Sequence, residues 1–248
     1  MIKIFRNIRK KLAEENKVVA YSRYAIGEIV LVVIGILIAI QLNEWRNDNL
    51  DNNKKQNILK ALKAEYEANL KQLDTVLFYD NKISVAYSKL NEMYKTSFQG
   101  YTEDEIAKAV VEHSWTWTFN PINGALRSAI SSGDIHLITN KRLVELLFSW
   151  EDVVEDSYEE AQRMRQFQYE KFDFLTKYIR VFQGERFYNE LIAPSNFSSN
   201  YSGLLKDPGF EDYTTGSYFY ADEYIRELEV IRTYNIELLN LIDSELKP

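Results

Sequence analysis

The sequence predicts an all-α protein, with one N-terminal transmembrane helix followed by an antiparallel helical bundle with long helices. An apolar run lies near the start of the chain, at residues 29–40. Residues 36–99 and 134–183 contain neither Gly nor Pro, and their apolar residues recur at steps of three and four, as on one face of a helix. With 46% hydrophobic residues, the chain has enough apolar material for a packed core.

The apolar run becomes long enough to cross a bilayer when its flanks are included. Residues 24–45 make about 33 Å of helix at about 1.5 Å per residue, against a bilayer core of about 30 Å. Tyr24 and Trp45 fall where aromatic residues meet the membrane interface. No pair of small residues with cleavage-site spacing follows the run, so we expect an uncleaved anchor, with a cleaved signal peptide as the alternative.

Charge is distributed unevenly about this run. Residues 1–23 hold seven of the 30 Lys and Arg residues and two of the 37 acidic ones, so the rest of the chain is acidic. A basic flank before a span predicts a cytoplasmic N-terminus. The predicted organisation is a cytoplasmic tail at 1–23, a transmembrane helix at 24–45 and a helical domain at 46–248 on the far side.

The tail has a second interpretation besides setting orientation. Its apolar residues share one face of a possible short helix, and such a helix lies on an anionic leaflet. The basic residues that would face the headgroups are Lys3, Arg6, Arg9, Lys10 and Lys11. A plain charge cluster that only orients the span is the alternative.

Three residues of the span predict a helix–helix interface. Glu28, Gly35 and Ala39 fall on nearly one face, and Gly35 with Ala39 has the small-xxx-small spacing that lets helices approach closely. The partner would be a second copy of the chain or another membrane protein. The alternative is that Glu28 extends to the cytoplasmic headgroups and that the two small residues are incidental.

Capping patterns divide the domain into helices. Thr102 with Glu105 forms a capping box that predicts a short helix up to about His113. The dipeptide Asn120-Pro121 predicts the start of the next helix. The remaining predictions are a stop at Gly133, a cap at Asn140, a loop over 194–216 and a last helix over 218–246. The Asn-rich stretch 47–53 leaves open a break between the span and the first long helix.

The sequence contains no recognisable arrangement of catalytic or metal-binding residues. The chain has no Cys, which excludes a disulfide scaffold, a thiol nucleophile and Cys-ligated metal sites. Its two histidines, His113 and His136, do not have metal-ligand spacing. The net charge of −7 argues against a nucleic-acid partner. We therefore expect a non-enzymatic protein without catalytic residues, cofactor or metal.

Aromatic residues give a candidate contact surface in the domain. Trp115, Trp117 and Phe119 lie in a predicted connection between helices, where aromatic side chains form grooves or contact sites. The alternative is that they cover the end of the bundle core.

The tail and span resemble a family of uncharacterised bacterial envelope proteins known as a domain of unknown function. The resemblance rests on a basic tail, a characteristic span and a shorter second stretch. The matching residues of the span are Gly27-Glu28-Ile29, Ile34-Gly35-Ile36-Leu37-Ile38-Ala39, Gln41, Asn43 and Trp45, and those of the second stretch are Ala125-Leu126, Ser128, Ser132-Gly133-Asp134-Ile135, Leu137-Ile138 and Asn140-Lys141. The resemblance implies a single-span protein of a Gram-negative inner membrane, with its C-terminal domain in the periplasm. It implies no activity.

Two functional hypotheses follow. The first is a non-enzymatic interaction or assembly module that acts through its span and periplasmic bundle. The second is a subunit of an ion- or proton-conducting, stator-like membrane complex that uses Glu28, since a carboxylate within a membrane segment is costly and often functional.

Overall fold

The chain is all-α, as predicted, and 83% helical. The computed structural model describes residues 18–113, 117–181, 183 and 189–246, and none of these residues forms a strand. The helices are α1 (Val18–Lys95), α2 (Glu103–His113), α3 (Gly124–Ser131), a 3-10 helix (Asp134–Leu137), α4 (Lys141–Tyr178), α5 (Tyr201–Leu204) and α6 (Pro208–Glu245).

The chain divides into two units, Met1–Lys55 and Gln56–Pro248. In the first unit, the described residues belong to α1 and include the one candidate span found in the described part of the chain. Its most apolar 18-residue window has a mean hydropathy of 2.6 and buries none of its residues. The helix is assigned through the Asn-rich stretch without a break. The predicted amphipathic helix of the tail lies outside the described residues.

The second unit is built on three long helices that pack side by side through their buried apolar residues. Ion pairs fix their directions: Lys63 of α1 meets Asp243 of α6 at 2.7 Å, and Asp74 meets Arg232 at 2.6 Å. Residue numbers rise along one helix as they fall along the other, so α6 runs antiparallel to α1. The same holds between α4 and α6, because the hydroxyl of Tyr234 donates to the carbonyl of Leu146 while Phe167 packs against Tyr220.

Because α6 is antiparallel to both neighbours, α4 and the part of α1 in this unit point the same way. The chain between them, residues 96–140, must therefore return along the bundle before α4 can begin. It does so through α2, an extended stretch and α3.

Two predicted caps are confirmed at the level of hydrogen bonds. The backbone N–H of Thr102 donates to Glu105 at 2.9 Å, and the N–H of Glu105 donates back to the Thr102 hydroxyl at 3.3 Å. At the start of α4, the Asn140 side chain accepts the N–H of Leu143 at 3.1 Å. Each cap satisfies backbone donors that a helix start leaves free.

Two predicted boundaries are wrong. Asn120-Pro121 does not open a helix, because residues 120–123 lie outside any helix and α3 begins at Gly124. The predicted loop over 194–216 contains the first turns of α6, which starts at Pro208 with Asp207 accepting the N–H of Gly209. Proline at the first helical position after an Asp cap favours a helix start, and this local rule outweighs the nearby glycines.

Candidate functional site

The predicted interface residues of the span share one exposed face of α1. Gly35 and Ala39 are both exposed, and a side chain added at Gly35 would meet no other atom of the described chain within 4 Å. Glu28, seven residues before Gly35, is part-exposed on the same face. Gly35 and Ala39 are therefore not covered by any other part of the described chain.

The three candidate aromatic residues have different surroundings. Trp115 lies outside the described residues. Trp117 is 43% exposed and stacks on Tyr79 of α1, with ring centroids 4.3 Å apart and planes 10° from parallel. Phe119 is only 2% exposed and packs edge-on against Trp150, so it belongs to the core. The contact-surface prediction therefore stays open for Trp117 alone among the described residues.

The extended stretch between α2 and α3, residues 117–123, is here called the return segment. It lies along α1 in the opposite direction, and side chains of α1 accept its backbone N–H groups. The bonds run from Trp117 to Asp80 (2.9 Å), from Asn120 to Gln72 (3.3 Å) and from Ile122 to Asn69 (2.8 Å). Asn69 also donates to the Ile122 carbonyl at 2.8 Å. Side chains thus supply hydrogen bonds that a neighbouring strand supplies in a sheet.

Glu65 continues this row of acceptors into α3. Asn123, the N-cap residue, makes no capping bond to its own helix. Instead the Glu65 carboxylate accepts the N–H of Ala125 at 2.6 Å and that of Leu126 at 3.0 Å. The Asn123 side chain accepts the indole N–H of Trp150 at 2.9 Å. A carboxylate 60 residues away therefore caps α3, at the end of the helix that favours negative charge.

Asp80 is a buried member of the row with an incompletely hydrogen-bonded carboxyl group. Its side chain is 1% exposed, and its second oxygen has no hydrogen-bond partner among the described residues. Burial raises the pKa of Asp80 to about 7, although the bond from Trp117 works in the opposite direction. The ionised form is therefore less stable in the folded bundle than in the unfolded chain.

Asp80 predicts a pH-dependent stability that Asp80→Asn removes. The folded pKa is about 7 against an unfolded value of 3.8, so the folded state holds an extra proton in between. The contribution of Asp80 to the free energy of unfolding is fully present below pH 4 and is lost as the pH rises through 7. As the pH rises from 4 to 8, the free energy of unfolding of the wild type should therefore fall by on the order of 3–4 kcal/mol relative to that of Asp80→Asn.

The measurement is urea unfolding of the full chain in detergent, followed by tryptophan fluorescence at several pH values. Asp74→Asn is the matched control, since Asp74 is exposed on the same helix. A difference between Asp80→Asn and wild type that stays constant with pH would contradict the prediction.

Histidine and acidic side chains are the remaining candidates for chemistry among the described residues. No group of three or more His, Asp or Glu residues among them is arranged to hold a metal ion. His136 is exposed, and its ring contacts the Gly133 carbonyl. In the acidic run of α4, Glu151 pairs with Arg127 at 2.8 Å and Glu160 with Arg163 at 2.9 Å, on the surface.

The row Glu65, Asn69, Gln72 and Asp80 was missed from the sequence. Its members lie beside the apolar stripe of α1 at helical spacing. The available indication was the interruption of the apolar pattern at Asp80, where a polar residue occupies a core position. A buried polar residue on an apolar face requires a hydrogen-bond partner, but the pattern does not identify it.

Comparison with known proteins gives one match. Residues 28–191 match the model of a family described as a family of unknown function, DUF6090. No curated protein and no solved structure matches the chain.

Proposed function

Because the chain belongs to this family of unknown function, we propose its role from its own surface: a non-enzymatic interaction or assembly module of the inner membrane. Residues 24–45 cross the membrane with the N-terminus in the cytoplasm, and the helical domain lies in the periplasm. The span associates with a second copy or another membrane protein. Bases of the tail face the anionic headgroups, namely Lys3, Arg6, Arg9, Lys10 and Lys11.

The apolar surface of α1 carries the proposal. From Ile26 to Leu42, the large apolar side chains are between 46% and 64% exposed, and they point in all directions around the helix. A helix of the soluble core buries one side, and a helix that is apolar all round belongs in a core or in lipid. No part of the described chain covers this surface, which favours lipid as its surroundings.

Single-cysteine variants test the topology cleanly, because the chain has no cysteine of its own. We expect Glu92→Cys, an exposed position of the bundle, to react with a membrane-impermeant maleimide in intact spheroplasts. Glu14→Cys in the tail should react only after the membrane is permeabilised. Labelling of the tail first would reverse the topology, and release of the chain by alkaline carbonate would contradict the span.

Span association has its own test. Gly35→Leu places a large side chain where helices would meet, so we expect the native mass in lipid particles to fall from an oligomer to a single copy. Val33→Leu is the matched control, because Val33 lies on the opposite side of α1 and should leave the mass unchanged. An oligomer that survives Gly35→Leu would contradict this interface.

Proton flux in liposomes tests the alternative of a conducting complex, and Glu28→Gln is the variant for that test. The interaction module predicts no proton flux in liposomes with either residue at this position. Flux with Glu28 that is lost in Glu28→Gln would replace the interaction module with a conducting role.

A further inference from the structure

The buried apolar residues of the bundle form two separate groups along its length. Core A holds 26 buried residues and lies between residues 59–83 of α1, 143–164 of α4 and 221–242 of α6, together with Phe119 and α3. Core B holds ten, drawn from the end of α1, α2, the end of α4, α5 and the start of α6: Leu90, Met93, Ile106, Ala109, Val110, Leu175, Ile179, Leu204, Phe210 and Tyr213.

Aromatic rings connect the level between the two cores, for example Tyr87, which stacks on Tyr218 with ring centroids 4.4 Å apart. The fully buried residues of this level on α2 and α6 are polar: His113, Thr214 and Ser217. The ring nitrogens of His113 and the Ser217 hydroxyl make no hydrogen bond of normal geometry with described residues. Buried polar groups without hydrogen bonds cost free energy, so this level, here called the polar layer, couples the two cores less strongly than continuous apolar packing would.

His113 is completely buried in this layer, at the last residue of α2. From α1, Tyr87 faces its ring at 6.0 Å and the backbone of Ile83 lies nearby. From α6, Tyr213 faces it edge-on at 6.0 Å, beside the backbone of Thr214. On α4, Phe167 stacks on the Tyr213 ring. The backbone groups of Ile83 and Thr214 favour an imidazolium, but burial disfavours it more strongly.

Burial lowers the pKa of His113 to about 4 from an ordinary value of 6.5. The C-terminus of α2 attracts a positive charge, but such an effect amounts to about 1 kcal/mol and is smaller than the burial cost. Below pH 6.5, a state in which His113 is exposed to water therefore binds a proton that the state with buried His113 does not bind. The free energy needed to expose His113 falls as the pH falls. Asp80, on α1 at the level of core A, titrates in the opposite sense.

We propose that the two cores are separate cooperative units, that core B opens while core A stays folded, and that His113 makes this opening acid-sensitive. Core B has fewer than half the buried residues of core A, so it has less hydrophobic stabilisation to lose. Opening exposes α2, which carries His113 into water. Between pH 7 and pH 5 this acid response comes mainly from His113, because the lowered pKa values of Glu105 and Asp207 act mainly below their ordinary values of 4.5 and 3.8.

Hydrogen exchange on the full chain in lipid nanodiscs tests this, with protection factors corrected for the intrinsic exchange rate at each pH. At pH 7, amides of α2 and of residues 170–178 should exchange faster than those of residues 59–77 and 224–242. From pH 7 to pH 5, protection in core B should fall by about 20-fold, the factor for a group with pKa 6.5 when open and 4 when closed. Protection in core A should not fall.

The two histidines of the chain supply matched variants. His113→Phe keeps a ring between the two tyrosines and removes the charge, so core B should lose its acid response while still opening before core A. His113→Gln serves the same purpose if the larger ring does not fold. His136→Gln should keep the full response. Equal protection in both cores at both pH values overturns the division, and an acid response that survives both His113 variants overturns the role of His113.

Discussion

Glu65→Ala is expected to lower the free energy of unfolding by about 3 kcal/mol, since buried N–H groups without a partner cost about 1–3 kcal/mol each. The side chain is 7% exposed and accepts two backbone N–H groups at the start of α3. Alanine leaves both donors without an acceptor and exposes no new surface to water. The measurement is urea unfolding of the full chain.

Two further variants separate the cap from other effects of Glu65. Glu65→Gln keeps a carbonyl oxygen that accepts one of the two bonds, so its loss should be smaller than that of Glu65→Ala. Glu67→Ala removes an exposed carboxylate two residues away, whose pairing with Lys63 spans 3.8 Å, and should change stability by less than about 0.5 kcal/mol. Equal losses of stability for Glu65→Ala and Glu67→Ala would contradict the prediction that the Glu65 cap stabilises the fold.

Trp150→Ala is expected to cost about 4–5 kcal/mol, at the upper end for truncating a buried aromatic side chain. Trp150 is 0% exposed and meets Tyr66 edge-on, with centroids 5.0 Å apart. Its indole N–H donates to Asn123, which ties α4 to the return segment. Alanine therefore opens a large cavity in core A and removes one fixed point of that segment.

Trp150→Phe and Trp117→Ala complete the comparison. Phenylalanine refills most of the cavity but leaves the Asn123 oxygen without its donor, so an intermediate loss is expected. Trp117 is part-exposed, and its truncation should cost about 1 kcal/mol through the lost stack on Tyr79. A loss for Trp117→Ala as large as that for Trp150→Ala would contradict the division between surface and core aromatics.

Local patterns predicted the parts of the fold that local physics determines. The long helices followed from the spacing of apolar residues, and the caps of Thr102 with Glu105 and of Asn140 followed from residues three positions apart. The start of α6 at Pro208 was also local, but the surrounding glycines concealed it.

Local patterns could not predict the contacts of the return segment. Its N–H groups are accepted by residues 37 to 53 positions away on α1. No spacing rule pairs Asn69 with Ile122, because only the direction of the finished bundle brings them together. For the same reason the division of Trp117 from Phe119, one exposed and one buried, follows from how the segment lies on α1.

The pairing of α1 with α6 has a consequence during synthesis. The ion pair of Asp74 with Arg232 joins residues 158 positions apart, and Gln56 reaches the Glu245 carbonyl across 189. At about 5–20 residues per second, a ribosome needs roughly 10–30 s to add that much chain. For that time the apolar face of α1 has no α6 to cover it. That face therefore stays without its α6 contacts until the chain beyond residue 208 has emerged.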